Sequence, residues 1–457
     1  MKSRKFLSLI ACAAIVGGSI GALTSCNNDD DADIIFMNGK TEVVEQFEYI
    51  ADAYEEEKGH KVTIENLQSG QEAQLIASLG AGNDKSPSIF FMHGPVDYPT
   101  YEDYMMDLSD TELYADLTND SFAVKDPDDG TVRALPMTVE GYGLIYNKNI
   151  TDKYFALTTK SADVTVTSMD QIKDFDALKE VADDMQAHKA DLGIDGVFAS
   201  SGMKSGEQWR WHNHLFNMPI YAEYGNITGV PTDFDFTYNQ NMKNLLDLYI
   251  NDSAFSGDNA PSLANKSTAD SMAEIAIGKA AIVQNGNWST AQLSVDGATV
   301  SADDCYFMPM YMGNAGNLDQ STQGLAIGTD YHIAVNSRVS AAKQSTALDF
   351  LTWLVEGNGA KYVTASTDDH GLAFNPPYKQ FEDAEFTDHL TAQVKEWMGK
   401  TDYTTIPWDF ISAPSTEVMN KMDSGLTQYI TNGMTDADWD DMVTAVKNQW
   451  VTDASLR

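Results

Sequence analysis

Three tryptophan-bearing segments gather the side chains of this sequence that are best suited to chemistry. Trp209-Arg210-Trp211-His212-Asn213-His214 is the densest. Gln284-Asn285-Gly286-Asn287-Trp288 follows an apolar run over 280–283, which puts its tryptophan at a strand end. Pro407-Trp408-Asp409-Phe410 lies in a stretch with little periodicity. Indoles bordered by Asn, Asp, Glu and Arg suit a carbohydrate: the C–H face of a pyranose lies flat on the ring, and planar polar groups take hydroxyls in pairs. Burial as core is the commoner fate of a large aromatic. That fate is expected for Trp353, inside an amphipathic segment over 342–355, and for Trp397, Trp439 and Trp450.

Other chemistries have weaker footing. Glu140, Glu207 and Asp409 lie near the suspected segments, and two acids flanking a glycosidic bond would make a hydrolase. Sequence does not give their separation, so this alternative stays open. His212 and His214 offer two imidazoles to zinc, but no Asp, Glu or Cys stands beside them at a familiar ligand spacing. Stacking or packing is the better role for these histidines, and neither a metal nor a cofactor is expected. Asp126, Asp128 and Asp129 suggest an EF-hand, yet Gly130 comes one place too early and no glutamate fills the twelfth position. A hairpin turn fits better. There is no Gly-rich phosphate loop, no G-x-S-x-G elbow and no nucleophilic cysteine setting. The expectation is a binding protein, not an enzyme.

The chain that must position these groups has 457 residues, with 29 Lys+Arg against 68 Asp+Glu and a formal net charge of −39. Its 43% hydrophobic content can bury a core, which excludes global disorder. At roughly 150 residues per domain, two or three domains are expected. So acidic a chain is a poor partner for nucleic acid, because binding phosphate needs a basic face. Lys2, Arg4 and Lys5, then an apolar run over 6–16, then Leu23-Thr24-Ser25-Cys26, have the order of a secretory signal peptide. Its end resembles the bacterial lipobox, which implies cleavage before Cys26 and a diacylglycerol on its thiol. Loss of the leader's cations would leave a net charge of about −42. Residues 27–33 are too polar to pack and read as a tether. The protein is thus expected outside the cytoplasm, held to the outer face of the cell membrane by lipid alone, with Cys305 left unpaired.

Alternating strands and helices fill the rest. A strand over 33–37 ends at Asn38-Gly39; Val43, Phe47, Ile50, Ala51 and Tyr54 recur at helical spacing before a Lys58-Gly59 stop; Val62 and Ile64 alternate; a helix over 74–79 and a strand over 88–92 follow. This βαβαβ order predicts parallel sheets covered by helices, with ligands outside the C-terminal strand ends. Ser168 and Gln171 have the spacing of a capping box opening a helix through about residue 190. Further helices are expected over 239–250, 268–277, 342–355 and 386–398.

The segment Leu135-Pro136-Met137-Thr138-Val139-Glu140-Gly141-Tyr142-Gly143-Leu144-Ile145-Tyr146-Asn147-Lys148 resembles the first interlobe crossing of the sugar-binding proteins of bacterial ABC importers. The likeness is to extracellular solute-binding protein family 1, the maltose/maltodextrin-binding-like proteins. Segments 34–40, 88–101, 280–288 and 331–354 fall in that family's order, so the resemblance covers nearly all of the mature chain. It implies an α/β, two-lobed periplasmic-binding-protein clamshell of class II type with three interlobe crossings, near 140–144, near 328–331 and after Pro376-Pro377-Tyr378. The implied division is a signal peptide over 1–25, a tether over 26–33, lobe 1 over 34–140 and 331–380, and lobe 2 over 141–330 and 381–457. By motif position, Lys40, Glu42, His93, Asp97 and Glu140 would give polar contacts, and Trp288 would be the stacking indole of Asn-Gly-x-Trp. Trp408 falls near a second stacking position, and Trp209, Arg210 and Trp211 near a third platform whose local sequence departs from the family's pattern. Tyr142, Asn287, Asp330 and Tyr331 complete the implied ligand-binding set. The implied activity is capture of an oligosaccharide, malto-oligosaccharide first, by a monomer that delivers it to ABC permease subunits. A surface adhesin gripping insoluble polysaccharide is the third alternative.

Overall fold

The computed structural model describes residues 34–456 apart from 68–71, 84, 226, 228 and 294–296, so the leader, Cys26 and the tether lie outside the described residues. Two sheets organise the chain. In the first, β1 (Ile34–Asn38) runs parallel to β2 (Val62–Asn66) and β3 (Ile89–Met92). The connecting helices are Val44–Lys58 and Glu72–Ala81. Phe47, Ile50, Ala51 and Tyr54 form the buried stripe of the Val44–Lys58 helix. Burying each of the larger members stabilises the lobe by about 1.5–3 kcal/mol. Gly59 stops that helix in the left-handed region at φ 78°, its N–H donating to Glu55 O at 2.8 Å. Two strands, β4 (Val124–Lys125) and β5 (Val132–Pro136), pair as a hairpin across the turn that contains Gly130.

The second sheet is built on β6 (Glu140–Asn147), flanked by β7 (Gly196–Phe198), β8 (Ala280–Gly286), β9 (Cys305–Met308), β10 (Gln323–Gly328) and β12 (Thr404–Ile406). Its order is β12-β10-β6-β8-β7, with β9 paired to the far half of β6. β11 (His332–Val335) returns to the first sheet, between β3 and β5, giving the order β2-β1-β3-β11-β5-β4. Each sheet has its own apolar core, so the chain folds as two lobes.

The chain passes between the sheets over 137–139, again over 329–331, and again between the turn Lys379–Phe381 and the helix His389–Met398. At the first passage Val139 N donates to Asn375 O at 2.7 Å and Asn375 N to Thr138 Oγ1 at 3.1 Å. Glu140, grouped with the first lobe on sequence, instead opens β6 opposite Gly328 in the second sheet. The first passage therefore precedes 140–144. Ser168 and Gln171 also depart from expectation: they bracket a short 3-10 turn, and the helix Phe175–Ala187 begins at Asp174, whose carboxylate accepts from Ala177 N. Gln171 turns back to accept from Thr167 N at 2.9 Å, so its side chain is not available to cap. Two C-terminal helices, Thr416–Thr431 and Asp436–Ala454, pack together against the second lobe.

Candidate functional site

The first lobe's contribution starts with Asn38, the last residue of β1. Its amide donates to Asn66 Oδ1 at 3.0 Å and to Lys40 O at 2.8 Å, and its Oδ1 accepts from Lys40 N at 3.0 Å and Tyr331 OH at 2.6 Å. Gly39 is required between them, because a Cβ there would lie 2.1 Å from the Phe91 ring. This tight turn aims Lys40 Nζ across the lobes at Glu140, 2.8 and 3.0 Å from its two carboxylate oxygens, with Glu42 at 3.4 Å. The ammonium also stands 5.4 Å from the centroid of the Tyr331 ring. Burial works to lower the Lys40 pKa, but Glu140, Glu42 and Asp330 together outweigh it and hold the amine charged. Burial pushes the Glu140 carboxyl up to about 7 against the pull of Lys40. Asp330, itself raised by burial, acts through space on both Lys40 and Tyr142.

The second lobe contributes rings. Alternation along β6 sends Glu140 and Tyr142 to the same face. Tyr142 stacks on His214 at 3.9 Å and 14°, and lies 5.3 Å from Trp408. Trp408 presses on Gly328, where a Cβ would come within 2.5 Å of its ring. Trp288 lies over Gly286 in the same manner, 5.3 Å from His214, 6.0 Å from Trp209 and 6.2 Å from Trp408. Phe410 closes the far side, 5.6 Å from Trp408. Burial, then the charges of Arg210 and His212, hold His214 neutral, which suits stacking.

A π-helix, Arg210–Leu215, makes this wall possible. In an α-helix, residues five apart point about 140° away from each other. The i→i+5 register brings them nearly into line. Trp209 and His214 accordingly meet edge to face at 5.2 Å. Asn217, in the helix that follows, braces the Trp408 loop: its Nδ2 donates to Pro407 O and its Oδ1 accepts from Phe410 N, both at 2.9 Å. Buried polar atoms remain without a hydrogen-bond partner at the wall: His214 Nδ1, Trp408 Nε1 and Asp409 Oδ2. Burial raises the Asp409 carboxyl to about 7.

Of the residues singled out in the sequence, Lys40, Glu42, Glu140, Asp330 and Tyr331 gather into the polar cluster, and Tyr142, Trp209, Trp288 and Trp408 into the wall, where Tyr142 and Trp408 are buried and Trp209 and Trp288 part-exposed. His93 and Asp97 close a local turn at the end of β3, the Asp97 carboxylate accepting from the His93 backbone N and ring Nδ1 at 2.9 and 2.8 Å. Three others differ from expectation. Arg210 and Trp211 are 1% and 2% exposed and point into the second lobe, where the Trp211 indole N–H donates to Gly202 O at 2.8 Å. Asn287 is buried too, accepting from Gly141 N at 2.9 Å and donating to Thr391 Oγ1 at 3.1 Å, so it ties β6 to the helix His389–Met398. Neighbouring residues on a helical turn face different ways, so Trp209 reaches the wall while Arg210 and Trp211 turn inward. Asn217, Gln284 and Phe410 are the residues that sequence reasoning missed as site residues. Only the placing of Gln284 and Phe410 inside the tryptophan segments hinted at them. His212 Nδ1 lies 2.6 Å from Asp423 Oδ1. Among the described residues no group of three or more His, Cys, Asp or Glu is placed to hold a metal ion.

Two lobes joined by three chain passages, with a polar cluster from one meeting an aromatic wall from the other, define a two-lobed ligand-binding protein. The chain matches the bacterial extracellular solute-binding protein family over residues 39–356 and belongs to that family. Solved structures with the same fold include maltose-bound MalE3 of T. maritima, at 14% identity and TM-score 0.63 over 91% of this chain and 98% of that one. The GacH receptor of Streptomyces glaucescens, solved unliganded and with acarbose, is 15% identical with TM-score 0.65 over 92% and 98% of the two chains. RafE in complex with raffinose is 14% identical with TM-score 0.64 over 92% and 99%. No curated protein sequence matches the chain significantly. Among the described residues no helix is long and apolar enough to cross a membrane.

Proposed function

We propose that this protein captures a neutral oligosaccharide between its lobes and delivers it, uncut, to an ABC permease. The observation that carries the reading is the wall of Trp209, Trp288, Trp408, Tyr142 and His214 beside a polar cluster in which Lys40 is paired with Glu140. Rings supply flat apolar surface for pyranose faces, and the unpartnered Trp408 Nε1 and Asp409 Oδ2 supply a donor and an acceptor for hydroxyls. Several platforms favour a chain of sugars over a single one, and malto-oligosaccharide is the first candidate. Solved proteins of the same fold bound to maltose, acarbose and raffinose support the ligand class. In this reading Lys40, Glu42, His93, Asp97, Asp330 and Tyr331 line the first side of the cleft, and Glu140 meets them from the second. Ligand favours the closed state, the passages over 137–139, 329–331 and 382–388 acting as hinges. The mature monomer begins at a lipid-bearing Cys26.

The test is a calorimetric panel of maltose, maltotetraose, raffinose, xylotetraose and mannotetraose. Binding of at least one tetrasaccharide, recovered intact after prolonged incubation, is expected. Absence of heat with every member would remove the sugar reading, and cleaved product would turn it toward the hydrolase. Radiolabelled palmitate should enter the wild-type protein in cells and not Cys26→Ala.

A further inference from the structure

Trp209 and Trp288 are the two part-exposed indoles of the wall, and they come from segments far apart in the chain. A reciprocal pair of hydrogen bonds joins those segments behind the rings. Arg210 Nη1 donates to Gln284 O at 3.3 Å, and Gln284 Nε2 donates back to Arg210 O at 2.8 Å. Arg210 Nη2 also donates to Ser271 Oγ at 3.0 Å, and that hydroxyl donates onward to Ser200 O at 2.5 Å. Arg210 adjoins Trp209, and Gln284 stands on β8 just before the turn that carries Trp288. The frame therefore links one platform directly to the other.

Arginine is a costly choice at this place. The guanidinium is 1% exposed, and among the described residues no carboxylate lies within ion-pair distance of it. Glu207 and Glu274 act on it only through space, and burial lowers its pKa to about 10. Its Nε and the Gln284 Oε1 both remain without a partner. A core shaped for stability alone would gain from an apolar side chain here, because a buried charge rarely recovers its desolvation cost. What arginine offers in return is a rigid planar fork with fixed angles between its N–H groups.

We infer that Arg210, acting with Gln284, is a positioning residue that sets the 6.0 Å separation and 56° tilt between the Trp209 and Trp288 rings, and so the shape of the surface offered to a ligand. The ligand consequence rests on the sugar-capture reading; the geometric part does not.

Circular dichroism separates the two, since a close indole pair gives an exciton couplet that needs no ligand. Trp209→Phe marks complete loss of the pair's contribution. Arg210→Met and Gln284→Leu are each expected to lose the same contribution, and Arg210→Met to do so with an unchanged or raised melting midpoint. Arg210→Lys keeps the charge without the fork and should not restore it. Retention of the couplet in Arg210→Met overturns the inference, whatever the midpoint does. Should that variant not fold, Gln284→Leu decides by the same criterion. With maltotetraose as the probe, affinity should fall roughly tenfold, as for the loss of an aromatic anchor. If the couplet is lost while wild-type protein ignores maltotetraose, the positioning role stands and the sugar reading falls.

Discussion

The two sides of the interlobe junction solve burial in opposite ways. On the first-lobe side, the buried charge of Lys40 is met by Glu140 at 2.8 Å, and Asn38 is bonded on both amide atoms. On the second-lobe side, rings fill the space while His214 Nδ1, Trp408 Nε1 and Asp409 Oδ2 go unmatched. A buried donor or acceptor without a partner costs about 1–3 kcal/mol. Satisfied groups hold a structure; unsatisfied ones wait for something to complete them. The contrast is between a buried cation held by a carboxylate and a ring wall whose buried polar atoms lack protein partners.

Breaking the satisfied side should have the largest effect. Lys40→Met leaves Glu140 buried without its cation, and unfolding by urea at pH 8 should show a loss of about 3–5 kcal/mol. At pH 5 the gap should shrink, because the Glu140 carboxyl, already raised to about 7, takes a proton. A loss equal at both pH values would mean that packing, not charge, sets the cost.

The next test probes the unsatisfied side. The folded pKa of Asp409 is raised to about 7 by burial, above its unfolded value, so its contribution is fully present below the unfolded pKa and is lost as pH rises through about 7. Asp409→Asn removes that titration. Relative to wild type the variant should gain on the order of 2–4 kcal/mol of stability between about pH 4 and pH 8. Parallel stability–pH curves would show that water reaches the carboxylate.

Smaller effects sharpen the comparison. Trp288→Ala should weaken sugar binding by about 1–3 kcal/mol in calorimetry, with little change in the polar cluster. Unchanged affinity would take Trp288 out of the site. Glu42→Gln removes the longest and most exposed ion pair to Lys40, 3.4 Å with the Glu42 side chain 40% exposed, and should cost under about 1 kcal/mol. A larger loss would mean that the cluster acts as a network and not as one dominant pair.

Much of the frame was legible because it is local. The stripe of Phe47, Ile50, Ala51 and Tyr54 and the Gly59 stop place one helix to within a residue, and Ser267–Asp270 caps the helix Thr268–Ala276. The helix Asp436–Ala454 shows what was readable and went unread: Trp439, Met442, Val446 and Trp450 recur at helical spacing beneath a surface crowded with aspartates. The indole segments were legible by composition. Which ring in each segment faces the junction was not, since Trp209 and Trp211 differ in burial through the turn they share.

By itself, then, the sequence determined the alternation of strands and helices, the family order of motifs and the supply of indoles, all of which depend on neighbours in the chain. Only the tertiary structure decided that Lys40 meets Glu140, that a π-helix lines up Trp209 with His214, and that Arg210 turns inward to Gln284. Those outcomes rest on contacts between distant segments, whose angles and burial no local spacing encodes.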